Sequence, residues 1–109
     1  MRVLFMPEVR MYFRELQDVL FEKEYFSYEE TAVRYVRELF TEISDTLPGR
    51  LKKVAPPYFA KYGKGMFYSV FKKSKHTQWY VFFNIYVENG EPVYLVRYIS
   101  NNHMVAQLL

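Results

Sequence analysis

Gln78-Trp79-Tyr80-Val81-Phe82-Phe83-Asn84-Ile85-Tyr86-Val87-Glu88-Asn89-Gly90-Glu91-Pro92-Val93-Tyr94-Leu95-Val96-Arg97-Tyr98-Ile99 sets the architecture of this chain. Two runs rich in Val, Ile, Phe, Tyr and Trp flank Asn89-Gly90. A two-residue hairpin turn needs φ > 0 at both positions, and Asn and Gly tolerate that best. Such a turn fixes the register. Glu88 pairs with Glu91, a like-charge pair that works against a tight turn. Further in, Ile85 faces Tyr94, Phe83 faces Val96 and Val81 faces Tyr98, and Trp79 shares their side of the sheet. On the other side Asn84 faces Leu95, Phe82 faces Arg97 and Tyr80 faces Ile99. The first face is almost wholly apolar and must be covered. The second carries Arg97, Asn84, Tyr80 and Tyr86, so it is expected to be the solvent-facing, working side.

Upstream, Met66–Lys73 has the same composition and adds a third strand. Residues 50–65 hold Pro56-Pro57, Gly63 and Gly65, which argue against a helix or a central strand. Before them the period becomes helical. Val9, Phe13, Leu16 and Leu20 recur at spacings of three and four, giving an amphipathic helix of roughly residues 8–24. Ser27 and Glu30 have the spacing of a capping box, and Val33, Val36, Phe40, Ile43 and Leu47 form a second stripe that ends at Pro48-Gly49. Two helices joined so closely make an αα-hairpin. Val3-Leu4-Phe5-Met6, stopped by Pro7, is a short buried strand. The expectation is one α+β domain over residues 1–109. It has a short N-terminal strand, an αα-hairpin and then a three-stranded antiparallel meander, with the helices packed on one face.

Composition narrows the function. With no cysteine, disulfides, thiolate zinc sites and cysteine nucleophiles are excluded. Two histidines without metal-ligand spacing make a metal site unexpected, and no cofactor motif occurs. No signal-peptide pattern and no apolar stretch of about 20 residues is present, so a cytoplasmic protein without membrane attachment is expected. The charge is uneven. Residues 1–49 carry six Lys/Arg against ten Asp/Glu, and residues 50–109 carry nine against two. A half this basic suits a phosphate backbone, although lysines that merely solubilise an aromatic sheet give the same count.

The order strand, two helices, basic loop, three strands and tail resembles the RelE/ParE toxin superfamily. The local similarity lies in Val3-Leu4-Phe5-Met6-Pro7-Glu8, in Ala32–Leu39 with Ile43–Leu47, and in Met66–Phe71, Trp79–Phe83 and Tyr94–Ile99. The resemblance implies the toxin of a type II toxin–antitoxin system. Its partners would be an antitoxin protein and, for a ribosome-dependent mRNA endonuclease, the ribosome and mRNA. The ParE-like alternative is a non-hydrolytic inhibitor of DNA gyrase, and an inactive member that only binds a protein partner is a further one. Cleavage would use attack of a ribose 2′-OH on the neighbouring phosphate, which calls for a base, an acid and cations.

Arg97 is the cation that the register places inside a central strand, and a guanidinium grips phosphate bidentately. His103, in the tail Asn101-Asn102-His103, carries an imidazole suited to acid–base work. These two are the expected catalytic residues. Lys72, Lys73, Lys75 and Lys64 are expected to bind nucleic acid, with Lys52, Lys53 and Lys61 as weaker members. Tyr80 is placed to stack a base, with Phe82 and Tyr86 beside it. His76 falls in a polar loop. Two departures stand out. Phe67-Tyr68-Ser69-Val70-Phe71 lacks the Arg that many ribonuclease members carry there, and no carboxylate occurs in the sheet beyond Glu88 and Glu91. A general base of that type has to come from a helix.

Overall fold

The computed structural model describes residues 1–22, 28–105 and 108–109. The strands are β1 (Arg2–Phe5), β2 (Lys53–Val54), β3 (Phe67–Lys72), β4 (Gln78–Glu88) and β5 (Glu91–Asn101). The helices are α1 (Pro7–Glu22), α2 (Glu29–Thr46) and a short α3 (Asn102–Val105). The class is α+β, but the sheet is larger than the expected meander. It has five strands in the order β1-β5-β4-β3-β2. β1 pairs parallel to β5, with Arg2 beside Val93 and Phe5 beside Val96, so the sheet is mixed. The two-residue β2 comes from the stretch expected to be pure connection.

The Asn89-Gly90 turn forms as its chemistry requires, with φ of 54° and 80°. Glu88 does sit opposite Glu91, and the turn stays closed. Arg2 Nη2 from neighbouring β1 lies 2.9 Å from Glu88 Oε1 and relieves the repulsion. The expected register holds as far as Phe83–Val96 and then breaks. A β-bulge leaves Arg97 without an opposite residue, so Phe82 pairs with Tyr98, Val81 with Ile99 and Tyr80 with Ser100. The slip has a clear cause. It turns Ile99 into the helix-covered core in place of the phenol of Tyr98.

That core joins Val9, Phe13 and Leu16 of α1 and Val36, Leu39 and Ile43 of α2 to Phe71, Trp79, Val81, Phe83 and Val96. Of the stripes read from periodicity, Val9, Phe13, Leu16, Val36, Ile43 and Leu47 are buried, whereas Leu20, Val33 and Phe40 are half-buried and Ala32 and Leu39 take buried places on α2 that the stripe did not include. The cap of α2 is different from the expected box. Its N-cap is Tyr28 in an extended conformation, without a side-chain cap bond. Ser27 lies outside the described residues.

The second face of the sheet is covered over much of its area, although Tyr86 stays 47% exposed and Arg97 half-buried. A 3-10 turn over Pro57–Lys61 folds back across it, and Phe59 stacks on Phe82 at 4.3 Å between ring centroids. Met66, Tyr68, Tyr80 and Val105 complete this smaller core. The expectation of an exposed working face fails at Tyr80 and Asn84, which are buried, Tyr80 within the smaller core under the loop's Phe59, and holds at Tyr86. The sheet therefore lies between two layers.

The two edges differ. Beyond β2, the edge of β3 is blunted: Arg50 Nη1 donates to Val70 O at 3.2 Å and Ser69 Oγ donates to Leu51 O at 2.9 Å. Beyond β1, which closes with Met6 N–H donating to Val96 O, no strand among the described residues covers β5 from Arg97 to Asn101. An uncovered edge presents unpaired main-chain donors and acceptors.

Candidate functional site

A cavity of about 980 Å³ opens along that uncovered edge of β5, between α1, the turn at residues 73–77 and α3. Arg97 and His103, two positions singled out from sequence, both line it. The bulge and the end of β5 bring them there. Arg97 and Tyr98 project from the second face together, and Asn101 Oδ1 accepts from His103 N–H at 3.0 Å to start α3. Asn102 ties this tail to the turn, accepting from Gln78 N–H at 2.9 Å and donating to His76 O at 3.2 Å.

Arg97 is held on three sides. Its Nε donates to Asn84 Oδ1 at 2.5 Å and its Nη2 donates to Tyr86 OH at 2.8 Å. Asn84 is itself fixed, because its Nδ2 donates to Lys64 O at 2.8 Å. On the third side lies Gly63. A Cβ built there would stand 2.4 Å from Arg97 Cδ. Gly63→Ala is therefore expected to push the guanidinium off Asn84. Because the obstacle is the middle of a side chain pinned at its far end, with buried Met66 Sδ also 3.1 Å away and Asn84 losing its partner, the fold should lose about 1–3 kcal/mol. Thermal denaturation checks the stability, and any assay that responds to Arg97→Ala should respond nearly as strongly to Gly63→Ala.

The same cavity wall carries Glu8, from the first turn of α1. It supplies the carboxylate that the sheet lacks. Its sequence signal, a Pro-acidic pair opening a helix, points equally to an ordinary helix start. Lys61 also lines the cavity and lies 4.1 Å from the centroid of Tyr58.

The other expected cations are elsewhere. Lys73 packs toward α2, with Nζ 3.4 Å from Glu42 Oε1 and a side chain only 17% exposed. Glu42 also pairs with Arg50, whose guanidinium lies 3.9 Å over the Phe71 ring. Lys73 and Arg50 thus join the basic half of the chain to the acidic helices. Lys72, Lys75 and Lys64 are exposed and outside the cavity wall. Tyr80 is 8% exposed and packs in the second core, its OH donating to Gln78 Oε1. As folded, its ring presents no face for a base.

Three phenols that sequence reasoning did not single out converge on the cavity: Tyr12, Tyr35 and Tyr98. Trp79 Nε1 donates to Tyr35 OH at 2.9 Å. Burial pushes the Tyr12 hydroxyl up to about 12, with smaller contributions from the charges that Tyr98 and Tyr35 would carry. Burial also raises Tyr35, opposed by the bond from Trp79, and raises Tyr98. A raised phenol pKa favours the neutral form in the folded state. Its contribution is complete below pH 10 and is lost as pH rises through about 12. Urea denaturation at a series of alkaline pH values should show this fall, and Tyr12→Phe should flatten it.

The chain matches no protein-family model, no curated protein and no solved structure. No helix among the described residues is long and apolar enough to cross a membrane, and no cluster of metal-ligating side chains occurs among them.

Proposed function

We propose that this protein is a toxin of the RelE/ParE kind that cleaves mRNA on the ribosome and is held in check by an antitoxin chain. One observation carries the reading: Arg97 of β5, His103 of α3 and Glu8 of α1 line one cavity. They supply a cation and two proton-transfer groups, which is the set that 2′-OH attack requires. A carboxylate or imidazole takes the 2′-OH proton as O2′ bonds to phosphorus. The bond from phosphorus to O5′ breaks, and the second group protonates the leaving O5′. The products are a 2′,3′-cyclic phosphate and a 5′-hydroxyl. Arg97, pinned through Asn84 and Tyr86, keeps Nη1 for the phosphate oxygens; among the described residues that nitrogen has no hydrogen-bond partner.

Inducible expression with separate readouts of translation and DNA damage tests this. Arrest of growth with immediate loss of translation is expected, with cleaved message ending in cyclic phosphate. His103→Ala and Glu8→Gln should each restore growth while leaving the circular dichroism spectrum unchanged. Arrest through a DNA damage response, with translation continuing, would instead identify a gyrase inhibitor. No arrest on induction would identify an inactive member.

A further inference from the structure

Asn84 is a buried amide in β4, flanked in sequence by Phe83 and Ile85. A buried amide destabilises a sheet unless its donor and its acceptor are both used. Here both are. Nδ2 donates to Lys64 O at 2.8 Å, and Oδ1 accepts from Arg97 Nε at 2.5 Å. The amide fits only this way round, because a carbonyl oxygen can only accept and a guanidinium can only donate. The loop before β3 does not need this bond to stay closed. Phe59 on Phe82 and Tyr62 on Tyr98, with ring centroids 4.3 and 3.8 Å apart, already hold it against the sheet. The bond to Lys64 serves instead to aim the amide oxygen at Arg97.

Arg97 also differs from the arginines that brace the fold. Arg2 pairs with Glu88 and Arg50 with Glu42, so their charges are neutralised within the protein. Both anchors of Arg97 are neutral, the Asn84 amide and the Tyr86 hydroxyl, and it forms no ion pair among the described residues. A carboxylate in either place would hold the guanidinium as firmly and cancel its charge. We propose that Asn84 is a positioning residue for Arg97, and that its neutrality is what the site requires: it fixes the guanidinium while leaving the net charge for an anion. Tyr86, 47% exposed, is the second neutral anchor. The consequence for catalysis rests on the RNA-cleavage reading, in which that charge meets the phosphate.

Two measurements on the purified protein need no activity. Hydrogen exchange at the Arg97 Nε–H resonance reports the grip. Titration of inorganic phosphate, followed at the same resonance, reports the uncancelled charge. Asn84→Asp should keep the resonance slow to exchange and weaken phosphate about tenfold or more. It should also lower kcat on ribosome-bound message by about 100-fold with little change in KM. Asn84→Ala should release the resonance to fast exchange. Because Asn84 is buried, a second pair of variants is made at exposed Tyr86. Tyr86→Glu and Tyr86→Gln have the same reach and differ in charge, so Tyr86→Glu should bind phosphate about threefold or more weakly than Tyr86→Gln. An Asn84→Asp variant that binds phosphate and cleaves as the wild type does would overturn the proposal. So would Tyr86→Glu equal to Tyr86→Gln, an Arg97 resonance untouched by Asn84→Ala, or a wild-type resonance that phosphate does not shift. A wild type that gives the expected phosphate results and leaves message intact removes the toxin reading and keeps Asn84 in its role.

Discussion

Arg97→Ala is expected to lower cleavage of ribosome-bound message by about 100- to 1,000-fold, the usual effect of deleting one preorganised donor from a charged transition state. Arg97→Lys should recover little. An ammonium cannot donate to Asn84 and Tyr86 in the geometry of a guanidinium and still reach a phosphate. The fold should survive both changes. Arg97 is only partly buried, and it occupies a bulge rather than a paired ladder position. The measurement is the cleavage rate on stalled ribosomes, beside thermal denaturation of each variant. Wild-type rates for Arg97→Ala would remove this residue from the site.

Phe59→Ala is expected to cost about 3–5 kcal/mol, the range for deleting a fully buried ring from a close-packed core. Phe59 is 0% exposed, stacked on Phe82, and sits at the centre of the smaller core on the second face. For a domain of this size the melting temperature should fall by roughly 15–30 °C. Leu51→Ala provides the contrast. Leu51 belongs to the same loop but is 95% exposed, and its truncation should change stability by no more than about 0.5 kcal/mol. A small effect at Phe59 would mean that the loop does not close the second face in solution.

The hairpin was legible because Asn89-Gly90 ties local chemistry to register, and the helices were legible because α1 and α2 repeat their apolar residues with a helical period. Three features were hidden for physical reasons. The bulge at Arg97 depends on whether Tyr98 or Ile99 faces the helices, and strand composition does not decide that. The partner of β1 lies at the far end of the chain, in a parallel pairing with no turn to announce it. The cover over the second face comes from Phe59 and Tyr62, two rings in a segment with neither helical nor strand period.

The candidate site was partly legible. Arg97 and His103 were readable as chemistry-bearing residues, but their common cavity exists only because β1 stops at Phe5 and leaves β5 uncovered. Glu8 looked like a helix start. Lys73 looked like a ligand for nucleic acid because sequence shows charge without showing that Glu42 is beside it. Tyr80 shares its polar character with surface tyrosines and is set apart by its place in the second core, beside Tyr68 at 6.1 Å.

The parallel pairing of β1 with β5 also bears on the order in which the molecule can assemble. β1 and β5 are neighbours although 91 residues separate Arg2 from Val93, so that contact closes a long loop. During synthesis α1 leaves the ribosome long before the strand it must cover. Until residues 93–101 emerge, the apolar stripe of Val9, Phe13 and Leu16 lacks β5, the strand that completes the core it shares with β3 and β4. The nascent chain is then exposed to aggregation and to chaperones in that interval. The β5 side of the cavity forms late in synthesis, so chains truncated before Arg97 would carry Glu8 and most of the fold's residues but lack Arg97 and His103 from the site.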